Sequence, residues 1–115
     1  MRASALYAMG RNLDLRWLEV VLRELESSEA SLRYEAARAS GELGSQRAVP
    51  ALLALLNDPD REAQFAAVAA LGKLGGRTAG IALRKLLDAE DEPLREAAED
   101  ALDELNFGAN PLIAG

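Results

Sequence analysis

The chain has no cysteine and no histidine. The first absence removes disulfides, thiolate catalysis and cysteine metal sites, and it points to a cytoplasmic location on that count alone. The second removes the commonest proton shuttle near neutral pH and the usual imidazole ligand for zinc, iron or copper. An autonomous enzyme would need unusual substitutes, so the sequence reads as non-enzymatic, with no cofactor and no metal. Aromatics make up only 4% of its 115 residues. No run approaches the roughly 20 apolar residues that span a bilayer, and the amino terminus lacks the apolar block of a secretory signal. No membrane role is expected.

Positive charge is also short. The net charge is -6, and a general nucleic-acid surface needs clustered Lys and Arg, so no nucleic-acid partner is expected. The deficit is local. Residues 1–84 hold eleven basic and ten acidic side chains, whereas residues 85–115 hold two and nine. What remains is rich in leucine and alanine and poor in β-branched residues, a composition for close-packed helices. The length suits one domain.

A shift of 31 residues lays the chain over itself. Val21, Leu52 and Leu83 align, as do Leu25, Leu56 and Leu87, then Ala36, Ala67 and Ala98, then Leu43, Leu74 and Leu105. Each unit resolves into two helical patterns, the first near 17–26, 48–57 and 79–88 and the second near 29–43, 60–74 and 91–106. In "VPALLALLND" Val49, Leu52, Leu53 and Leu56 fall on one helical face. Pro50 sits in a first turn, where its missing N–H is harmless. Asp58 or Asp60 supplies an N-cap in "NDPD", and Ser28 and Asp91 occupy similar places.

The repeated "GELG" and "GKLG" place Gly44 and Gly75 just past the second helices, as stops with left-handed backbone. Gly41 and Gly72 lie one turn earlier, inside the helix, where a missing side chain lets a neighbouring helix come close. Arg2, Arg33 and Arg95, with Gln64 between them, predict inter-repeat hydrogen bonds. Trp17, in place of Ala48 and Ala79, predicts local packing at the amino-terminal end. The unit boundaries are 14–44, 45–75 and 76–106 within a repeat domain spanning 1–106. Residues 1–13 overlay part of a second helix, which suggests an excised piece of a longer array or else an end covered by something else. The stretch 107–115 has no helical period and reads as a non-repeat tail. Asp103 and Asn106 replace the two glycines in the last unit, as in a terminal cap. "DAEDEPLREAAE" puts carboxylates at several calcium-loop positions, but Pro93 stands where the sharp turn needs glycine.

On "LRYEAARASGELGSQRAVPALLALLNDPD" the chain resembles the HEAT-repeat class, and specifically the short 31-residue HEAT-like repeats of phycobilisome lyases and many bacterial proteins. Leu32, Arg33, Ala36, Ala37, Gly41, Gly44, Arg47, Ala48, Val49, Pro50 and Pro59 carry the likeness. The resemblance implies an all-α, right-handed α-solenoid of about three and a half helix pairs whose second helices line a concave face. On that face the repeat register places Tyr7, Tyr34, Glu35, Arg38, Phe65 and Lys73. Aromatics and arginine are favoured interface anchors, so a protein or peptide partner is expected there, or else the rings lie flat on neighbouring alanines. End-to-end self-association stays open, as an assembly element of a longer solenoid. So does a bilin lyase fragment or accessory subunit. Deoxyhypusine hydroxylase, a HEAT-like enzyme, relies on His-Glu metal pairs that this chain has no histidine to supply.

Overall fold

The computed structural model describes residues 15–109, with side chains from 16 to 106. Six helices occupy that span, and no strand occurs among the described residues: α1 Leu15–Glu24, α2 Ala30–Leu43, α3 Val49–Leu55, α4 Arg61–Leu74, α5 Arg77–Leu86 and α6 Glu92–Ala109. A 3₁₀ turn over Gln46–Ala48 leads into α3. The first helices α1, α3 and α5 form one layer and the second helices α2, α4 and α6 the other, in a slab of 36 × 35 × 19 Å. This is the all-α repeat fold. Two of the first helices, α1 and α5, start two residues before their predicted positions, and α3 starts one residue after its own. Also, α6 runs on to Ala109, so residues 107–109 are helical rather than tail: Asn106 stands where the sibling helices have a glycine stop, and no proline intervenes before Pro111.

The core lies between the layers. Val21, Leu52 and Leu83 are fully buried, as are Ala36, Ala67 and Ala98. The aligned Leu25, Leu56 and Leu87 behave differently: Leu25 is 2% exposed and Leu87 36%, with Leu56 between them. Register predicts which positions share a face, but the neighbouring unit decides how far each is covered. Trp17 is half-buried, whereas Ala48 and Ala79 at the same register are fully inside.

Contacts between neighbouring second helices are far more extensive than those between neighbouring first helices. The layer of second helices is therefore the inner side of the array. Small residues permit this approach. A Cβ added at Gly72 would stand 2.8 Å from the Ala101 carbonyl oxygen and 2.9 Å from its Cα. At Gly41 the nearest atoms would be the Lys73 Cδ at 3.0 Å and the Ala70 Cα at 3.4 Å. The glycine of one unit faces the alanine of the next. In the last unit that glycine position is Asp103, which is exposed. Gly44 and Gly75 end their helices at φ 72° and 67°, their N–H groups bonding the carbonyls of Ser40 and Leu71.

Polar groups fix the linkers. Asp60 and Asp91 cap α4 and α6 by accepting the N–H groups of Ala63 and Leu94. Ser28 does not cap α2. Glu29 holds the matching register position and makes no side-chain cap bond, while the Ser27 hydroxyl accepts the Glu29 N–H at 3.0 Å. Asp58, one unit on from Ser27, accepts the Asp60 N–H in the same way.

The predicted inter-repeat arginine ladder has one crossing rung among the described residues. Arg33 donates to both Asp58 oxygens, at 2.7 and 3.0 Å, and also to the Ser27 carbonyl. Gln64 and Arg95 bond carbonyls of their own units, Leu56 and Ala89 respectively. The reason is the register partner: Ala89 stands where Asp58 stood, leaving Gln64 no carboxylate to reach. Arg2 lies outside the described residues.

Two outcomes follow for stability. In an unobstructed helix, Gly→Ala gains about 1 kcal/mol. Gly41→Ala should be neutral or gain up to that amount, because the flexible Lys73 chain can yield. Gly72→Ala should instead lose about 1–3 kcal/mol, because it meets backbone. Urea unfolding of both variants checks this, and a stabilised Gly72→Ala would contradict it. The second outcome concerns acid. The Arg33 guanidinium bonds hold the Asp58 carboxyl below its usual range, with a contribution from the Asp60 N–H. A depressed folded value contributes stability above the unfolded value, about 3.9, and that contribution is lost as pH falls through the folded one. Asp58→Asn keeps an acceptor for Asp60 but has no charge to lose. The urea midpoints of wild type and variant should therefore differ near neutral pH and converge in acid. Parallel curves would contradict it.

Candidate functional site

Of the predicted contact residues, those that are described, Tyr34, Glu35, Arg38, Phe65 and Lys73, stand on α2 and α4. Tyr34 and Phe65 occupy equivalent positions, and both are half-buried against the core. Each ring carries an arginine. The Arg38 guanidinium lies 5.8 Å from the Tyr34 ring centre, and that of Arg61 lies 5.2 Å from the Phe65 ring centre. Such stacking contributes about 0.5–1 kcal/mol at exposed sites. The rings are thus partly packed as well as presented, and they do not form a bare aromatic strip.

Arg61 does more than cover Phe65. It also reaches into the next unit, donating to Asp91 at 2.6 and 3.1 Å. That bond raises the Arg61 guanidinium and, with the Leu94 N–H, lowers the Asp91 carboxyl. One carboxylate therefore caps α6 and positions the cation over Phe65.

Two shallow depressions mark the seams between second helices. Between α2 and α4, a volume of about 130 Å³ is ringed by Arg38, Glu42 and Lys73 over Ala66, Ala69 and Ala70. Lys73 Nζ lies 3.6 Å from a Glu42 oxygen, and both side chains are 44% exposed. An exposed pair of this kind contributes about 0–1 kcal/mol, so both groups remain available to a partner. Between α4 and α6, about 200 Å³ is bounded by Phe65, Val68, Ala97, Asp100 and Glu104. The structure thus gathers Arg38 and Lys73 at one seam and sets Phe65 at the other. Tyr34 and Glu35 line neither. Tyr7 lies outside the described residues. The inner surface changes sign along its length, basic and acidic together at α2/α4 and acidic at α4/α6.

A larger feature escaped the register argument because it lies on the opposite layer. Between α3 and α5 runs a trough of about 440 Å³, lined by Leu53, Leu56, Ile81, Ala82, Lys85 and Leu86, with Asn57 and Thr78 at its edge. Ile81 is 44% exposed. The sequence does hold a signal for it: "VPALLAL" has no charged residue at all, which is unusual for a helix with a solvent-facing side. No group of three or more His, Cys, Asp or Glu side chains able to hold a metal ion occurs among the described residues. Nor is any helix among them long and apolar enough to cross a membrane.

A sequence profile described as HEAT repeats matches residues 18–103. Among solved structures, human deoxyhypusine hydroxylase in complex with glycerol is similar at a TM-score of 0.80 and 25% identity, over 90% of this chain and 36% of that one. The complex of CpcE and CpcF of phycocyanin lyase from Nostoc sp. PCC7120 is similar at 0.77 and 31% identity, over 90% of this chain and 47% of that one. This chain spans between a third and a half of the length of those two. No curated protein matches it.

Proposed function

The chain belongs to the HEAT-repeat family, and from that premise we propose that it is a non-enzymatic scaffold module that binds a protein or peptide across its inner, second-helix face. The observation that carries the reading is the pair of alanine-floored depressions rimmed by charge at the two seams. Flat apolar floors accept side chains of varied shape. Arg38, Lys73, Asp100 and Glu104 at the rims, all exposed, select partners by charge and orient them. The chain has no cysteine to supply a thiolate and no histidine, so proton transfer would fall chiefly to carboxylates, and those described with shifted values are engaged by arginine. A cytoplasmic location fits this reading.

The likeness to phycocyanin lyase at 31% identity favours a second reading, as a piece or accessory subunit of a bilin lyase-like protein. A linear tetrapyrrole added to the chain separates the two: a shift in its visible absorbance supports the second reading, and an unchanged spectrum supports the first.

Peptides selected from a random displayed library on the purified chain test the first reading. Their affinity should fall about tenfold or more in Arg38→Glu or Lys73→Glu, both exposed positions, and also in Phe65→Ala. Thermal melts separate lost contact from lost fold. Failure to enrich any peptide, or affinities indifferent to all three substitutions, would contradict the reading.

A further inference from the structure

The trough between α3 and α5 is on the layer that the proposed function does not use. Its origin can be read from the repeat. At the seam between α1 and α3, Arg47 bridges to Glu19 at 2.9 Å. One unit further on, Thr78 stands in the register of Arg47, and Pro50 in the register of Glu19. Neither can rebuild the ion pair. The seam between α3 and α5 therefore lacks that charged bridge, and leucine and isoleucine side chains line it instead.

The walls are apolar and their charge has one sign. Across its length α3 is uncharged, and α5 carries Arg77, Arg84 and Lys85 with no carboxylate. Lys85 is the charged residue that lines the trough, and it is exposed. This layer as a whole is cationic: α1, the 3₁₀ turn, α3 and α5 carry six basic side chains against two acidic, while α2, α4 and α6 carry five against nine. An anionic occupant is favoured here by charge complementarity.

The shape favours a helix. Leu53, Leu56 and Leu86 are half-buried and recessed between two helices, so a planar surface such as a bilayer could not reach them. A third helix could, because an amphipathic helix laid in an apolar groove inserts side chains at every third or fourth position. The ten residues of α5 run about 15 Å, a length matched by about three turns of such a helix.

We infer that the α3/α5 trough docks an amphipathic helical segment of a partner protein, with its apolar side on Leu53, Leu56, Ile81 and Leu86 and acidic side chains beside Lys85. This site is separate from the inner face, and neither reading depends on the other.

The test uses two fluorescein-labelled peptides of roughly 18 residues, or five helical turns, each with a leucine-alanine face and either glutamate or lysine opposite. The glutamate peptide should bind the full chain saturably by anisotropy and the lysine peptide at least about tenfold more weakly. Ile81→Glu and Lys85→Glu, both at exposed positions, should each weaken the glutamate peptide about tenfold while leaving the thermal melt intact. Lys73→Glu, on the inner face, should leave this affinity unchanged. Four results would overturn the inference: no saturable binding, equal binding of both peptides, affinity indifferent to the two trough substitutions, or binding to phosphatidylglycerol vesicles but not to peptide. A fifth is a self-associating chain that Ile81→Glu makes monomeric, which would make the occupant a second copy.

Discussion

The approach of one second helix to the next, at Gly72 against Ala101 and Gly41 against Ala70, sets the geometry of everything else. Helices separated by leucines stand about 8–10 Å apart; replacing one wall by glycine and the other by alanine brings backbones nearly into contact. Because that happens on one layer alone, the second helices contact one another far more extensively than the first helices do. The alanine floors of the inner depressions are the same seam seen from outside. At Gly72 the helical cost of glycine, about 1 kcal/mol, is offset by packing that a residue with a Cβ could not make without backbone movement.

Polar contacts then hold the unit spacing that the small residues permit. Arg33 on Asp58 and Arg61 on Asp91 each tie one unit to the next. They differ in setting. The first pair is largely enclosed, with side chains 15% and 6% exposed, and the second is open, at 53% and 32%. Solvent screens the open pair, so its contribution is mainly to orientation: it places Arg61 over Phe65. The enclosed pair also satisfies the Ser27 carbonyl and the Asp60 N–H, so its loss would leave several part-buried groups without partners.

Much of this was legible in the sequence. The 31-residue register found the helix pairs, the Gly44 and Gly75 stops, and the close-packing glycines, because each rests on local backbone requirements or on a repeated apolar face. It located Arg38 and Lys73 on one surface for the same reason. What it missed came from departures between units. Leu56 and Leu87 are less covered than Leu25, Gln64 bonds its own unit because Ala89 replaces the Asp58 carboxylate, and the α3/α5 seam has Pro50 and Thr78 at the register of the Glu19–Arg47 pair. A periodic argument averages over units, and differences between units are what it suppresses. The charge-free run of α3 was the available sign.

Opposite charge on the two layers gives the slab two dissimilar surfaces, so the two proposed partners would not compete for one site. Both surfaces exist only if the second helices lie as close as their glycines permit. Nuclear Overhauser contacts measure that approach directly. The account predicts strong cross-peaks from the Gly72 Hα protons to the Ala101 Hα and methyl protons, with the equivalent pair between Gly41 and Ala70. Their absence in a chain that retains its helical content would place the second helices farther apart and contradict the account.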